Sequence, residues 1–233
     1  MAELGRQRAE LPNADSVRII VNIDDGTMPT GAKRQSIVNA LEDAYLCFVD
    51  DDDWIEPGYI QTLLRALKAK PDCVTFKGVI TTDGRNPEIF RLSLHYPVRI
   101  WSRDPQGVHM RTPNHLCPIK RELVSKVPYK SVHSYEDALW SMNIYPHLRT
   151  QCHIDAVLYQ YRYSPAGSEA AKKEPKLIPG KYFDLRQDGK VYDAVEKSYS
   201  PEAALEVLTD LFGTAGPQAA EFRAHYPQLF RNT

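Results

Sequence analysis

"YLCFVDDDDWIEPGY", residues 45–59, sets four consecutive aspartates behind a five-residue, mostly apolar run and ahead of a tryptophan and a proline. Tyr45 to Val49 reads as a buried strand, because a short β-branched and aromatic run bounded by acidic or turn residues is how such strands are written. Pro57 suits the first turn of a helix, and Ile60, Leu63, Leu64 and Leu67 recur at helical spacing until "KPDC" stops it. The aspartates therefore follow the carboxyl end of a strand, the edge at which open α/β sheets collect ligands. Carboxylates held a few ångströms apart raise one another's pKa unless a cation neutralises them. Mg2+ or Mn2+ suits that role, since these hard ions take one or two protein carboxylates and complete their shell with phosphate and water oxygens. A solvated acidic turn capping the Pro57 helix accounts for the same residues, because negative charge favours a helix start.

Upstream, "VRIIVNI" (17–23) reads as another buried strand, and "TGAKRQSIVNALEDA" (30–44) as a helix with Thr30 as cap and Ile37, Val38 and Leu41 as its buried stripe. Strand, helix and strand make one crossover, which predicts an α/β fold with a mainly parallel central sheet flanked by helices. "IDDGT" (23–27) repeats the pattern of acids after a strand, with Asp24 and Asp25 leading into a glycine turn; a base or ribose contact and a plain Asp-Gly turn both explain it. Lys33 and Arg34 stand in the first turn of the following helix, where cations oppose the dipole. An anionic group cradled there would explain them, as would two solvent-facing basic side chains.

Downstream, "CVTFKGVI" (73–80), "IFRLSL" (89–94), "VRIW" (98–101) and "IDAVLYQY" (154–161) read as strands, and "KRELVSK" (120–126) and "EDALWSMNIYPHL" (136–148) as short helices. From about Ser164 the chain turns to Ala, Lys, Pro and Gly, with "PEAALEVLTDLF" (201–212) the one clear helix. The expected organisation is an N-terminal extension (1–16), a catalytic domain (17–165) and a partly helical C-terminal tail or cap (166–233). Twenty-nine basic residues against thirty acidic ones give a formal charge of -1, so the chain as a whole is not drawn to nucleic acid or anionic membrane. No apolar run approaches the ~20 residues of a membrane span, and "MAELGRQRAELPNADS" lacks a signal-peptide core, so the expected location is cytoplasmic. Four cysteines without a CxxC pair argue against both a disulfide scaffold and a zinc site.

The series "IVNIDDGT", "GAKRQSIVNALEDAYLCFVDDDDW", "NHLCPIKRELVSKVPY", "SYEDALWS" and "VLYQYRYSPAGS" resembles a family 2 glycosyltransferase of GT-A fold, in particular its small bacterial and phage-type members, over about residues 17–168. The resemblance implies a donor that is a nucleotide-diphosphate sugar, uridine-linked, and an acceptor glycan or other hydroxyl-bearing molecule, with a homo-oligomer left open. It places Asp50 and Asp52 in the family's Asp-x-Asp motif, with Asp50 toward the ribose, Asp51 among the donor-side acids, and Asp52, Asp50 and Asp53 at a Mn2+ or Mg2+ ion. Asp25 matches the acid set against the base, Lys33 and Arg34 the basic pair opening the next helix. Glu136 and Asp137 match the Glu-Asp pair whose aspartate deprotonates the acceptor in inverting members. Trp54 and Trp140 could stack on sugars, although packing is the commoner use of such tryptophans. Asn114 and His115 are polar contacts near the acceptor, His115 reading more readily as a structural histidine.

Two departures are visible. Family members begin with a strand and loop of the "PxYNR" type that helps hold the base, which residues 1–16 do not supply, and Gln35 stands where asparagine is usual. The metal-binding histidine that many members carry after the last strand is replaced around Ser164. The alternative to an inverting metal-dependent transferase is therefore a glycosyltransferase-like binding module without turnover; a nucleotidyltransferase would want a glycine-rich phosphate loop that is not present.

Overall fold

The computed structural model describes residues 2–96, 102–133 and 136–164, with the backbone of two further short strands. Helix α1 (Ala2–Ala9) is followed by α2 (Thr30–Ala40), β1 (Tyr45–Leu46), β2 (Trp54–Ile55) and α3 (Tyr59–Leu67). Then come β3 (Cys73–Thr82), β4 (Arg85–Leu92), β5 (Ser102–Arg103), β6 (His109–Arg111), β7 (Ile119–Lys120), α4 (Arg121–Val124), α5 (Glu136–Ile144) and β8 (Gln151–Tyr163). β9 (Phe183–Leu185) and β10 (Val191–Asp193) form a separate antiparallel pair. The expected strand 98–101 and helix 201–212, and nearly all of the expected tail, lie outside the described residues.

β3 is the spine of the sheet. Its first four residues, Cys73 to Phe76, are all buried, as in a strand with both faces covered, the Thr75 hydroxyl being satisfied by Gln151 and His153. β4 returns antiparallel through Asp83 and Gly84, both at positive φ, between the paired Thr82 and Arg85. That is the two-residue Asp-Gly hairpin turn whose twist matches the strands. Across the pair, Phe90 lies over Gly78, where a Cβ would come within 2.1 Å of the ring. On its other side β3 runs parallel to β8, and β8 in turn takes β2 antiparallel, with Ile55 opposite Tyr159. This last pairing brings the aspartate run against β8. Val74, Phe76, Phe90, Leu92, Ile119, Ile144 and Tyr159 are fully buried at the centre.

The α/β expectation holds, and the sheet is mixed rather than mainly parallel: among the described strands β3–β8 and β4–β6 are parallel, and the remaining pairings of the large sheet are antiparallel. The larger correction concerns "VRIIVNI". Residues 17–23 form no strand and pair with no described one, and Ile20, Val21 and Ile23 are exposed by 42%, 49% and 87%. The segment is held by side chains instead: Arg8 donates to the Val17 carbonyl, Arg18 pairs with Asp43, and the Asn22 amide donates to the Ser36 hydroxyl. Its apolar pattern specifies a strand, but β1 beside the aspartates is only two residues long and its described ladder partner is β7.

The first residues are packed on the domain. Gln7 is buried, its amide donating to the Glu56 carbonyl and its side-chain oxygen accepting from the Ile60 N–H, so it caps the start of α3. Among the described residues no helix is long and apolar enough to cross a membrane.

Removing a side chain from the spine should be costly and changing the exposed segment should not. Phe76→Ala should lower unfolding free energy by about 3–5 kcal/mol, the usual cost of emptying a core aromatic. Ile23→Lys should change it by no more than about 0.5 kcal/mol, as at other exposed positions. Chemical denaturation of the two variants checks this, and equal losses would contradict the burial described here.

Candidate active site

The site forms where three distant stretches of chain meet above the end of the sheet. The start of α2 approaches the loop before α5 so closely that a Cβ at Gly31 would lie 1.8 Å from the Lys130 carbonyl oxygen and 3.1 Å from Glu136 Cβ. The Gly31 N–H donates to the Val132 carbonyl at 3.0 Å, and one turn later the buried Arg34 faces α5. Its guanidinium donates to Glu136 at 2.5 Å and to Asp50 at 2.7 Å. The third stretch is the loop between β6 and β7, buried without interruption from Arg111 to Ile119. Backbone bonds stitch it between its neighbours: the Phe48 N–H donates to the His115 carbonyl and the Val74 N–H to the Pro118 carbonyl.

His115 consequently stands between two carboxylates of the expected site. Its Nε2 is 3.2 Å from Asp50 and its Nδ1 is 3.8 Å from Asp137. Arg111 donates to the same Asp137 oxygen at 2.6 Å. On the far side of Asp50, the Tyr159 hydroxyl donates to Asp53 at 2.7 Å and accepts from the Asp50 N–H at 3.1 Å, and the Arg162 N–H donates to Asp53 at 2.8 Å. Arg34, Asp50, Asp53, Arg111, Asn114, His115, Glu136 and Asp137, with Phe90, Leu116 and Tyr161, line one cleft of about 190 Å³.

Proximity pulls the acids apart in strength. Burial by itself would raise Asp50, but Arg34 and His115 outweigh it and hold this carboxyl well below the usual range. Burial is likewise overcome at Asp137 by Arg111, His115 and Arg34, so it too stays ionised. Glu136 is pushed up by burial, with the Asp137 charge adding and Arg34 opposing. Burial lifts Asp53 to about 7, against the Arg162 and Tyr159 hydrogen bonds and with the charges of Asp50 and Asp52 adding. His115 is driven toward its neutral form by burial and by Arg34.

With this geometry in place, comparison with known proteins is informative. Residues 7–127 match the family described as glycosyl transferase family 2, which is more than half of the chain. The chain belongs to glycosyl transferase family 2. Its GT-A fold is shared with Staphylococcus aureus TarS 1–349: the form solved with UDP-GlcNAc superposes with a TM-score of 0.51 at 16% identity, covering 90% of this chain and 56% of that one. The form solved with UDP gives 0.47 at 16% identity over 85% and 52% of the two chains. This chain thus spans little more than half the length of those structures. No curated protein matches it significantly.

For this member of the family, the expected site residues divide into two groups. Arg34, Asp50, Asp53, Glu136 and Asp137 converge on the cleft. Asp51 and Asp52 are exposed beside it. Asp25 and Lys33 do not line it: the Asp25 carboxylate accepts from the Thr27 N–H and hydroxyl, and Lys33 pairs with Asp24 at 2.6 Å. Trp140 is buried flat against Tyr129 with its ring N–H donated to the Val127 carbonyl, a packing role, whereas Trp54 is exposed. Nothing in the sequence singles out Arg111, whereas Asn114 and His115 are expected there as polar contacts near the acceptor, His115 more readily as a structural histidine. The available signal was a polar "PNH" inside a segment otherwise reading as core.

Asp53 supplies a pH test. An acid whose folded pKa is raised adds stability below its unfolded value near 4, and that stability is lost as pH rises through about 7. With EDTA present, Asp53→Asn should therefore gain about 1–3 kcal/mol over wild type between pH 5 and pH 8, read from denaturation at both values. A difference that does not change with pH would place the Asp53 carboxyl in a wetter setting.

Proposed function

We propose that the protein transfers a sugar from a nucleotide-diphosphate sugar, uridine-linked, to an acceptor hydroxyl with inversion, assisted by Mn2+ or Mg2+. One observation carries this reading: His115 bridges an acid suited to the donor, Asp50, and an acid suited to the acceptor, Asp137, inside a single cleft.

The cleft lining holds two guanidinium groups and four carboxyl groups. With neutral His115 it becomes doubly negative only when Asp53 and Glu136, both raised by burial, are also ionised, a state that a divalent cation beside Asp53 would favour and that would otherwise repel a diphosphate. The donor set suits such an ion, being all carboxylate oxygen and open to solvent at Asp52. Among the described residues no three acidic, histidine or cysteine side chains could hold a cation alone, so substrate phosphates would have to complete the shell. Asp52, Asp50 and Asp53 are the candidate ligands, of which one or two would hold the ion together with substrate phosphates; when bound, the ion would stabilise charge developing on the departing diphosphate.

The chain's own residues perform the rest. Asp137, kept ionised, takes the proton of the acceptor hydroxyl as its oxygen attacks the anomeric carbon from the face opposite the leaving diphosphate. Arg111 holds that carboxylate in place and weakens it as a base, so turning the guanidinium toward substrate would restore its basicity. Arg34 fixes Asp50 and Glu136 relative to each other. TarS has been solved with UDP and with UDP-GlcNAc, which makes UDP-GlcNAc the first donor to try. The second reading, a binding module without turnover, is favoured by one observation: Asp24, Asp25 and Lys33 satisfy one another or their own turn instead of facing the cleft.

Calorimetry with UDP should show binding in Mn2+ that EDTA abolishes; equal affinity in both would remove the metal from the mechanism. Asp137→Asn should leave UDP affinity within about twofold and lower sugar transfer or donor hydrolysis by about 10²- to 10⁴-fold, the usual contribution of a positioned base. Undiminished turnover would exclude Asp137 as that base, and no turnover by wild type with any donor would favour the binding module.

A further inference from the structure

Two consecutive residues of the buried β6–β7 loop present unused hydrogen-bonding atoms at the cleft. Asn114 is 1% exposed and lines the cleft, yet its side-chain nitrogen has no hydrogen-bond partner. The orientation of that amide is fixed, because its oxygen accepts from the Leu116 N–H at 3.1 Å and a flipped amide would set donor against donor. His115 is 5% exposed, and its Nδ1 is likewise without a hydrogen bond. Nε2 lies 3.2 Å from the Asp50 carboxylate, within hydrogen-bond reach, whereas Nδ1 is 3.8 Å from Asp137, so the neutral ring is assigned its proton on Nε2 and Nδ1 as the acceptor. A buried donor and a buried acceptor left unmade are costly, and two such atoms on residues that line one cleft point to a ligand whose polar groups satisfy them.

Sugar hydroxyls are that complement, since a hydroxyl can accept from an amide or donate to an imidazole nitrogen. The size of the cleft limits what can bring them. An apolar cavity of about 150 Å³ holds one benzene, so a cleft of about 190 Å³ takes roughly one six-membered ring, and a nucleotide must extend beyond it. In the reading proposed above, the transferred sugar has to lie between the donor side at Asp50 and the base at Asp137, and His115 spans that interval. We propose that Asn114 and His115 form a hydroxyl-recognition pair for the transferred sugar and set which donor sugar is accepted, an inference that rests on the glycosyltransferase reading.

The test separates sugar from nucleotide. Calorimetry in Mn2+ compares UDP, UDP-glucose and UDP-GlcNAc on the full chain, for wild type, Asn114→Asp, Asn114→Ala and His115→Gln. Asn114→Asp keeps the oxygen that caps Leu116, so the loop survives in at least one variant, and thermal unfolding identifies which variants are folded. For folded Asn114 variants, affinity for the better sugar nucleotide should fall about 5- to 50-fold, the range for leaving one buried partner unmade, while affinity for UDP stays within about twofold. His115→Gln, which loses the Nδ1 acceptor, should show a sugar-dependent loss beyond any change it causes in UDP binding. UDP weakened as much as UDP-sugar in the Asn114 variants would overturn the proposal, as would unchanged sugar-nucleotide affinity. If wild type bound UDP and the sugar nucleotides equally well, no sugar contact would exist and the pair would have no such role. If wild type bound none of the three, the glycosyltransferase reading itself would fall, and this proposal with it.

Discussion

A buried guanidinium holding two carboxylates is the constraint on which the site depends. Arg34 is separated from Asp50 by 16 positions and from Glu136 by 102, and both contacts are short. The arrangement requires the first turn of α2 to touch the loop before α5, which Gly31 permits by having no Cβ to collide with Lys130. As a source of stability such an ion pair is poor, since the cost of removing charges from water cancels most of the attraction. Breaking it is expensive nonetheless, because Glu136 would be left buried, and Asp50 half-buried, without the guanidinium that each contacts. An arrangement that is hard to break and contributes little net stability makes physical sense when the fixed positions of the acids are themselves what is needed.

Fixed positions also give different strengths to groups of the same chemistry. Asp50 and Asp137 are each in contact with a cation and remain ionised, while Glu136 and Asp53 are pushed up by burial with too little compensation. Pairs of carboxyl groups driven apart in this way are how one site holds both a permanent negative charge and a group that exchanges protons near neutral pH. A cation entering beside Asp53 would reverse its shift, so the same residue that resists ionisation in the free protein would become a ligand once charge is supplied.

How much of this was legible depended on whether the signal was local. The strand–acids–helix sequence from Tyr45 to Leu67 and the apolar run of β3 announce themselves by periodicity, and both are present. Asp-Gly at 83–84 is an equally local hairpin signal that the strand pattern around it obscured. Pairing direction is not local: nothing in the spacing of β3, β4, β7 and β8 says which neighbours run parallel, so the sheet came out mixed. "VRIIVNI" shows the limit most clearly, because a perfect strand pattern becomes a ladder only where a partner edge meets it. Within the site, the acids were legible through their clustering. Asn114 and His115 were legible only as polar contacts near the acceptor and Arg111 not at all, because their positions come from a loop folded between β1 and β3.

The cleft is therefore built to two standards of order. In the cleft, Arg34, Arg111, Asn114, His115 and Glu136 are all buried, with Arg34 tied to Glu136, Arg111 to Asp137, His115 to Asp50 and the Asn114 oxygen to the Leu116 N–H. Toward the expected nucleotide end, Asp25 is bonded within its own turn, Asp24 is tied to Lys33, and the approach from 17 to 23 is exposed and outside any ladder. A ligand meeting the first region loses little to reorganisation, whereas one meeting the second must break the Asp24–Lys33 contact or the Asp25 turn before either acid can serve it. In the proposed transferase, discrimination would accordingly rest on the sugar and the diphosphate, and the base would add little until those contacts rearrange.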